Sequence, residues 1–469
     1  MGNDLIRELV EVFGEHSVLT GAALALRNSG FLDNAPLTAK ALLLPSCTED
    51  VAEMLRCCNR VGQAVVPHGG LTNLVYNTRT SPDEIAISLE RMNAIEEIDL
   101  AGRTMIVQAG VTLQAVQQAA SEAGLFFPLD LAPRATATIG GLIASNAGGT
   151  RVIRFGAMRS LVLGLEVVLA DGSRLTSLNK MLKNNAGYDL KQIFVGSEGT
   201  LGVVTRAVLR LWPTMPSAAT ALLALETFEK VLQLLSLAEA EVGGQLTSYE
   251  VLWNDYYRLT TTPPAPSHPP LPSDFPYYVL LETLGTNWEQ EQARFEAMLE
   301  QAYERDLFSE AVIARSKGQR EALWRIREDS DQMEAQYQPA YSFDVSLPLR
   351  SMETYVAGVR ERLEQTFGEV RLWVYGHVGD GNLHLGVWGF QITEAMREGV
   401  AEIIYQPLPT LGGSISAEHG IGLEKKAFLP LSRSRQEIVV MRRLKSALDP
   451  RGILNPGKIF DLEDRANAD

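Results

Sequence analysis

Three stretches of small residues in the first half of the chain restrict its architecture more than any other feature. Pro67 to Asn73 reads PHGGLTN, Thr138 to Gly156 reads TIGGLIASNAGGTRVIRFG, and Gly196 to Gly202 reads GSEGTLG. Residues with little or no side chain let backbone N–H groups approach a ligand closely, and successive N–H groups form nests that hold phosphate oxygens. One such loop is usually a turn, but three of them imply a ligand of dinucleotide size. No G-x-G-x-x-G follows a strand and opens a helix, so a nicotinamide dinucleotide is not indicated. GILNPGKI (Gly452 to Ile459) has the glycine and lysine spacing of a phosphate-binding P-loop, yet Ile459 stands where a hydroxyl must hold magnesium and Pro456 intrudes.

A chain of 469 residues exceeds one simple core, so two or three domains are expected. Its 57 acidic and 42 basic residues give a net charge of −15, which argues against a general nucleic-acid surface. Three cysteines, with Cys57 and Cys58 adjacent, lack the spacing of a disulfide framework, an iron–sulfur site or a zinc finger. A reducing cytoplasm fits that usage. No uncharged apolar run reaches membrane-spanning length, so no integral membrane segment is expected and any membrane contact would be peripheral.

The periodicity predicts an α/β or α+β first domain up to about Trp212. Thr48 is the expected N-cap of a helix with Val51, Met54, Leu55 and Cys58 on one stripe, followed by the strand AVVP. VTLQAVQQAASEAG repeats the helical pattern, and LGLEVVLADGSRL predicts two strands about an Asp171-Gly172 turn. From Ala219, strands and helices alternate through a second α+β domain. Seven prolines between Pro263 and Pro276 interrupt it and predict an exposed surface excursion.

Within that second domain, YGHVGDGNLHLGVWG (Tyr375 to Gly389) places two of the six histidines seven residues apart. If GDGN (Gly379 to Asn382) is a four-residue hairpin loop, Val378 pairs with Leu383 and His377 faces His384. Opposed residues have Cβ atoms about 4.5–5.5 Å apart, close enough for two imidazoles to share an ion. Histidines that merely hydrogen-bond their neighbours are the alternative. Later, SAEHGIGLEKK offers Glu418 as a third ligand, leaving an open coordination position, and His419 for proton transfer. Alone, EHG is equally a helix end or a capped turn.

PxGGxTNLV, TIGGLIASNAGGTRVIRFGAMRSLVLGLEVVLADG, NNAGYDLKQIFVGSEGTLGVVT, GHVGDGNLH, SAEHGIG and DPRGILNPGKIF, in that order from about Pro45 to Phe460, resemble the FAD-linked 2-hydroxy-acid dehydrogenases. That family includes D-2-hydroxyglutarate dehydrogenase, D-lactate dehydrogenase and the flavin subunit of glycolate oxidase. The resemblance implies an α+β fold with a vanillyl-alcohol-oxidase-type FAD-binding domain over 1–216, a ferredoxin-like substrate (cap) domain over 217–425, and a segment 426–469 returning to the flavin domain. It implies that FAD lies against Pro67, Gly69, Gly70, Thr72, Asn73, Pro133, Gly140, Gly141, Ser145, Gly148, Gly149, Val203 and Asn455. The metal ligands would be His377, His384 and Glu418, with zinc as the expected divalent ion and manganese or iron as alternatives. His419 would be the base, and Arg327 in LWRIRED would hold the substrate carboxylate, its alternative being an ordinary exposed helix residue.

The expected reaction is oxidation of a D-2-hydroxy acid, the ion stabilising the developing alkoxide while hydride passes to flavin N5. Relatives acting on 2-hydroxyglutarate carry a lysine and an asparagine where this chain has Ser342 and Gly386, which favours a smaller or more apolar substrate. Leu71 replaces a small residue. His68 precedes the two glycines, whereas covalent flavinylation in distant relatives uses a histidine after them, so FAD is expected to be non-covalent. Electron-transferring flavoprotein, a quinone or a cytochrome would accept the electrons, and a homodimer accords with the family. Three rivals stand beside this reading: a subunit of a glycolate-oxidase-like assembly with an iron–sulfur partner, a flavin-free metal hydrolase, and a non-catalytic binding relative.

Overall fold

The computed structural model describes residues 2–32, 35–389 and 394–462. Its contacts divide the chain into one unit of Met1–Gly148, Gly156–Thr214 and Glu418–Asp469, and a second of Gly149–Phe155 and Met215–Ala417. The first boundary therefore lies at 214/215 instead of 216/217, and the return to the first unit begins at Glu418 instead of 426.

In the first unit, α1 (Gly2–Phe13) buries Leu5 and Leu9 in a core shared with β1 (Val18–Leu19), β2 (Ala41–Leu43), α2 (Thr48–Val61), β3 (Val65–His68) and β4 (Ile85–Ser88). The sheet order is β1-β2-β4-β3, with β2, β4 and β3 parallel. On α2 the expected stripe of Val51, Met54, Leu55 and Cys58 is buried. The expected cap is displaced. Cys47 is the N-cap, without a side-chain bond, and Thr48 is already helical, its hydroxyl donating to buried Glu166 Oε1 at 2.6 Å. A tertiary partner has drawn the hydroxyl away from the helix end.

The second sheet of this unit is antiparallel, in the order β5-β6-β9-β7-β8. It comprises β5 (Ile95–Asp99), β6 (Thr104–Gln108), β7 (Val162–Val168), β8 (Arg174–Ser177) and β9 (Val203–Arg210). β7 and β8 flank the Asp171-Gly172 turn, where Gly172 has φ 78°. Between β6 and β7 run α3 (Leu113–Glu122) and the short α4 (Ile139–Ser145), which opens the second glycine-rich stretch.

The second unit starts as a βαββαβ motif: β10 (Ser217–Leu225), α5 (Phe228–Glu241), β11 (Leu246–Trp253), α6 (Asn254–Thr261), β12 (Tyr277–Gly285), α7 (Trp288–Glu304) and β13 (Glu310–Ile313). These strands lie antiparallel in the ferredoxin-like order β13-β10-β12-β11. After α8 (Lys317–Glu328) and α9 (Asp331–Gln336) come β14 (Tyr341–Ser346), α10 (Met352–Phe367), β15 (Val370–Gly376), β16 (Asn382–Gly389) and α11 (Glu394–Tyr405). β15, β16 and β14 extend the sheet beyond β11, making seven strands. One face of this sheet is covered by α6, α8 and α9: Leu252, Tyr278, Trp373 and Tyr375 share a core with Tyr256, Leu323, Ile326 and Met333.

The proline-rich segment is the exposed excursion expected, with all seven prolines at the surface, and it is anchored at a few points. Leu271 is buried, Tyr257 Oη donates to its carbonyl at 3.0 Å, and Tyr278 Oη donates to Pro272 O at 2.5 Å. Prolines cannot donate backbone hydrogen bonds, so the tyrosines and Asn254 hold the segment through its carbonyls, Asn254 Nδ2 reaching Ser273 O and Phe275 O.

A carboxylate sits at the centre of this sheet. Glu282 on β12 accepts from Arg320 Nε and Nη2, both at 2.6 Å, from Trp324 Nε1 at 2.8 Å and from Thr220 Oγ1 at 2.7 Å. Burial pushes its pKa up, but Arg320, Trp324 and Thr220 together hold it below the ordinary carboxylate value. Its stabilisation is therefore complete above that ordinary range and is lost as pH falls through the depressed value. Arg320→Ala leaves the charge without its cation and is expected to destabilise the protein by about 3 kcal/mol in urea unfolding at neutral pH. The deficit should shrink in acid.

Candidate active site

The histidine hairpin is built two residues out of the expected register. Tyr375, not His377, lies opposite His384, and the loop is Val378 to Gly381, a 3₁₀ turn closed by Gly381 at φ 88°. Asp380 N and Asn382 N both donate to His377 O, at 3.0 and 3.2 Å, which ends the ladder there. Because side chains alternate with period two, an even shift keeps both histidines on one face. Their rings meet diagonally, edge to face, with centroids 5.3 Å apart.

A buried carboxylate orders this face. Glu250 on β11 accepts from His377 Nδ1 at 2.7 Å and, on its other oxygen, from Arg327 Nε at 2.6 Å. A carboxylate only accepts, so His377 carries a proton on Nδ1, and its Nε2 lies 3.4 Å from Arg327 Nη2. Burial opposes ionisation of Glu250, but the charges of His377 and Arg327 hold its pKa below the ordinary value. Arg327 is 6% exposed, not a solvent-facing helix residue. Its guanidinium lies 4.7 Å over the Tyr375 ring, which stacks on Tyr256 at 4.0 Å, and Tyr256 Oη donates to Arg327 O at 2.9 Å. Burial works against its charge and the Glu250 carboxylate restores it, so the pKa lies above the ordinary arginine value.

Asp344 on β14 stands opposite His384, and the two offer ligand atoms within 4.8 Å of each other. Asp344 also accepts from Asn382 Nδ2 at 2.7 Å, Ala417 N at 3.1 Å and Ser416 Oγ at 3.3 Å. It thereby fixes the residue that precedes Glu418 and His419, whose own side chains approach to 4.0 Å. Sequence reading missed Glu250 and Asp344. Both are single acids inside apolar strands, and their alternation onto the histidines' face was the available signal. Two positions beyond His384, Gly386 is closely covered: a Cβ would lie 2.2 Å from Met333 Sδ and 3.2 Å from Trp373, so the thioether would have to shift to admit a side chain. Ser342, opposite it, is exposed.

In the first unit the three glycine-rich stretches converge. A Cβ on Gly70 would lie 2.0 Å from Thr136 O, and one on Gly69 would lie 2.8 Å from Thr138 Oγ1 and 3.2 Å from Gly141 Cα. Gly140 sits against Ala109, where a Cβ would be 2.8 Å from the alanine's own, and Gly199 packs on Pro67. Pro133 O accepts from Thr136 N and Ala137 N, turning the chain into α4, and Ser145 Oγ donates back to Gly141 O at 3.1 Å. Asn455 joins from the C-terminal segment, its N–H on Val65 O and its Nδ2 on Glu198 O, each at 2.8 Å. Thr138 Oγ1 and Asn455 Oδ1 are buried without a hydrogen-bond partner, as groups awaiting a polar ligand would be. These close backbone approaches and orphaned acceptors fit a flavin dinucleotide.

Other expected flavin residues are placed less directly. Asn73 spends its side chain on the loop, donating to Thr78 Oγ1 and accepting from Asn77 N, with half-buried Thr72 beside it. Val203 is 2% exposed with its side chain in the core, so only its backbone can face a ligand. Gly148 ends one segment of the first unit and Gly149 begins the second. Leu71 takes φ 58°, a conformation that favours glycine. His68 is buried and hydrogen-bonded through Nε2 to Thr78 O at 2.9 Å, and burial pushes its pKa down to about 4.

A family model described as "FAD linked oxidases, C-terminal domain" matches residues 214–459, and one described as "FAD binding domain" matches 39–177. A D-2-hydroxyglutarate dehydrogenase of Xanthomonas citri pv. viticola is 39% identical over 432 residues, covering 90% of each chain. The mitochondrial D-2-hydroxyglutarate dehydrogenase of Bos taurus is 38% identical, over 90% of this chain and 77% of that one. Among solved structures, p-cresol methylhydroxylase with bound substrate superposes with a TM-score of 0.76 at 16% identity, over 98% of this chain and 97% of that one. Alkyldihydroxyacetonephosphate synthase gives 0.75 at 16% identity, over 97% and 84%. At that identity the likeness shows the fold, which is of the vanillyl-alcohol-oxidase type. The flavin-free hydrolase alternative does not survive a matched FAD-binding domain. With matches spanning both units, this chain belongs to the FAD-linked oxidase family, with D-2-hydroxyglutarate dehydrogenases among its relatives.

Proposed function

We propose that this protein is an FAD- and metal-dependent dehydrogenase that oxidises a D-2-hydroxy acid to the 2-oxo acid and passes the electrons to an external acceptor. The observation that carries the reading is Glu250, which fixes a forked cation and an imidazole side by side on the sheet face that also presents His384. Relatives named for oxidation of D-2-hydroxyglutarate support the substrate class.

Bound FAD supplies a two-electron acceptor for the hydrogen on the substrate α-carbon. His377, His384 and Glu418 would hold a divalent ion, zinc by preference, which would lower the hydroxyl's hold on its proton. Arg327, whose Nε is committed to Glu250, pairs the substrate carboxylate through its terminal nitrogens. His419 takes the hydroxyl proton, with Glu418 beside it. Tyr375 and Tyr256 exclude water beneath the guanidinium, which strengthens its hold on an anion. Gly69, Gly70, Gly140, Gly141, Thr138 and Asn455 hold the dinucleotide.

The relatives' names favour 2-hydroxyglutarate, but the surface next to His384 favours a monocarboxylic acid. Its nearest groups are a glycine, a thioether and an indole, and Met333 fills the space where a polar side chain at 386 would stand. A second carboxylate placed there would have no charge-assisted partner.

His419→Ala should slow anaerobic flavin bleaching by about 10²–10⁴-fold with FAD retained. Chelator treatment should abolish turnover and added zinc should restore it; an unchanged rate in both experiments removes the proposed chemistry. In a panel of hydroxy acids, D-lactate or a D-acid with an apolar side chain should bleach the flavin faster than D-2-hydroxyglutarate, and the reverse order would return the chain to its relatives' substrate. Since His68 is neutral, buried and already bonded, acid precipitation should release all the yellow cofactor into the supernatant.

A further inference from the structure

We propose that Glu198 is a positioning residue for His419: its buried carboxylate clamps the turn carrying the histidine onto the loops that hold the dinucleotide. The proposal rests on His419 being the base. Glu198 lies in the third glycine-rich stretch, is 5% exposed, and takes φ 52°, uncommon for a residue with a side chain.

Every hydrogen-bonding group of this residue is committed, and together they lead to four segments of the first unit. Oε1 accepts from Ile421 N at 2.7 Å and Oε2 from Gly422 N at 2.8 Å, two and three residues beyond His419. Asn77 Nδ2 also donates to Oε2, at 3.4 Å. The backbone N–H of Glu198 donates to Ala144 O in α4, and its carbonyl accepts from Asn455 Nδ2, each at 2.8 Å. One residue therefore joins α4, the Asn77 loop, the C-terminal Asn455 segment and the histidine turn.

The turn is shaped to receive it. A Cβ on Gly420 would lie 2.8 Å from Glu198 Oε1, and one on Gly422 only 2.0 Å from Val75 O. Leu423 N donates to that same Val75 carbonyl at 2.9 Å. Gripping two adjacent backbone N–H groups takes two acceptor oxygens on one planar head, which a carboxylate has and an amide lacks. Glu198→Gln would set an NH₂ against one of those N–H groups. Its backbone bonds to α4 and Asn455 would remain, so the cradle should survive while the turn loosens. A histidine displaced by a fraction of an ångström loses rate more than it loses substrate binding.

The test uses the full-length, FAD-loaded protein with D-lactate and D-2-hydroxyglutarate, followed by anaerobic flavin bleaching. Glu198→Gln should retain FAD, change the half-saturating concentration by less than about threefold, and lower the saturated rate about tenfold or more. In a His419→Ala background the same substitution should change the rate by less than about twofold, because the group it positions is gone. An undiminished rate in Glu198→Gln, or an equal loss in both backgrounds, overturns the proposal. If Glu198→Gln fails to hold FAD, Asn77→Ala serves in its place: about a threefold loss that vanishes without His419 supports the clamp, and any other pattern sinks it. Should His419→Ala itself bleach normally, the base assignment falls, and the positioning role falls with it. A slow His419→Ala beside a normal Glu198→Gln removes only the inference about Glu198.

Discussion

The histidine-bearing face of the second unit's sheet depends on one ion-paired carboxylate removed from water. Glu250 sits at 0% exposure between a guanidinium and an imidazole, and it stays ionised there only because both give it charge-assisted hydrogen bonds. Each partner gains in return: the arginine keeps its charge under cover, and the histidine's Nδ1 proton is fixed on the carboxylate. The stack of Tyr256 on Tyr375 beneath Arg327 completes a floor that holds the guanidinium and the imidazole in fixed relation.

The glycine-rich loops of the first unit are organised by the opposite device. Few charged side chains take part; the chain is brought so close to itself that only glycine fits, as where Gly70 meets Thr136 and Gly69 meets Gly141. Those contacts expose backbone N–H groups and leave polar atoms such as Thr138 Oγ1 unsatisfied. The second unit orders specific charged side chains and the first unit orders bare backbone, and each carries the kind of sequence that arrangement requires.

That contrast explains what could be read from the sequence. Backbone-built features leave dense local signatures, so the glycine stretches, the α2 stripe and the β7–β8 turn were all legible, and the order of motifs carried the family. Features made by distant partners left little trace. Glu250 lies 127 residues from His377, and Glu198 lies 223 residues from Ile421, so neither acid stood out from its neighbours. The N-cap shifted because Thr48 found Glu166, 118 residues away. The hairpin register slipped because the His377 carbonyl takes two donors, a choice that GDGN alone did not reveal. The exposure of the proline-rich segment was legible, but the tyrosines that anchor it come from outside it and left no sign within it.

The chain crosses between its two units at 148/149, 155/156, 214/215 and 417/418. The strand-and-helix layers of the amino-terminal half lack Asp449, Lys445 and Asn455 until almost the whole polypeptide has been synthesised. Lys445 Nζ, in α12 (Arg435–Leu448), bonds Thr200 O, Leu454 O and Asp449, a knot that Thr200 joins only once the residues after 418 are in place. A nascent chain emerging from the ribosome thus has its cofactor-binding half translated early and finished last, with its cradle incomplete while the middle portion assembles its own sheet.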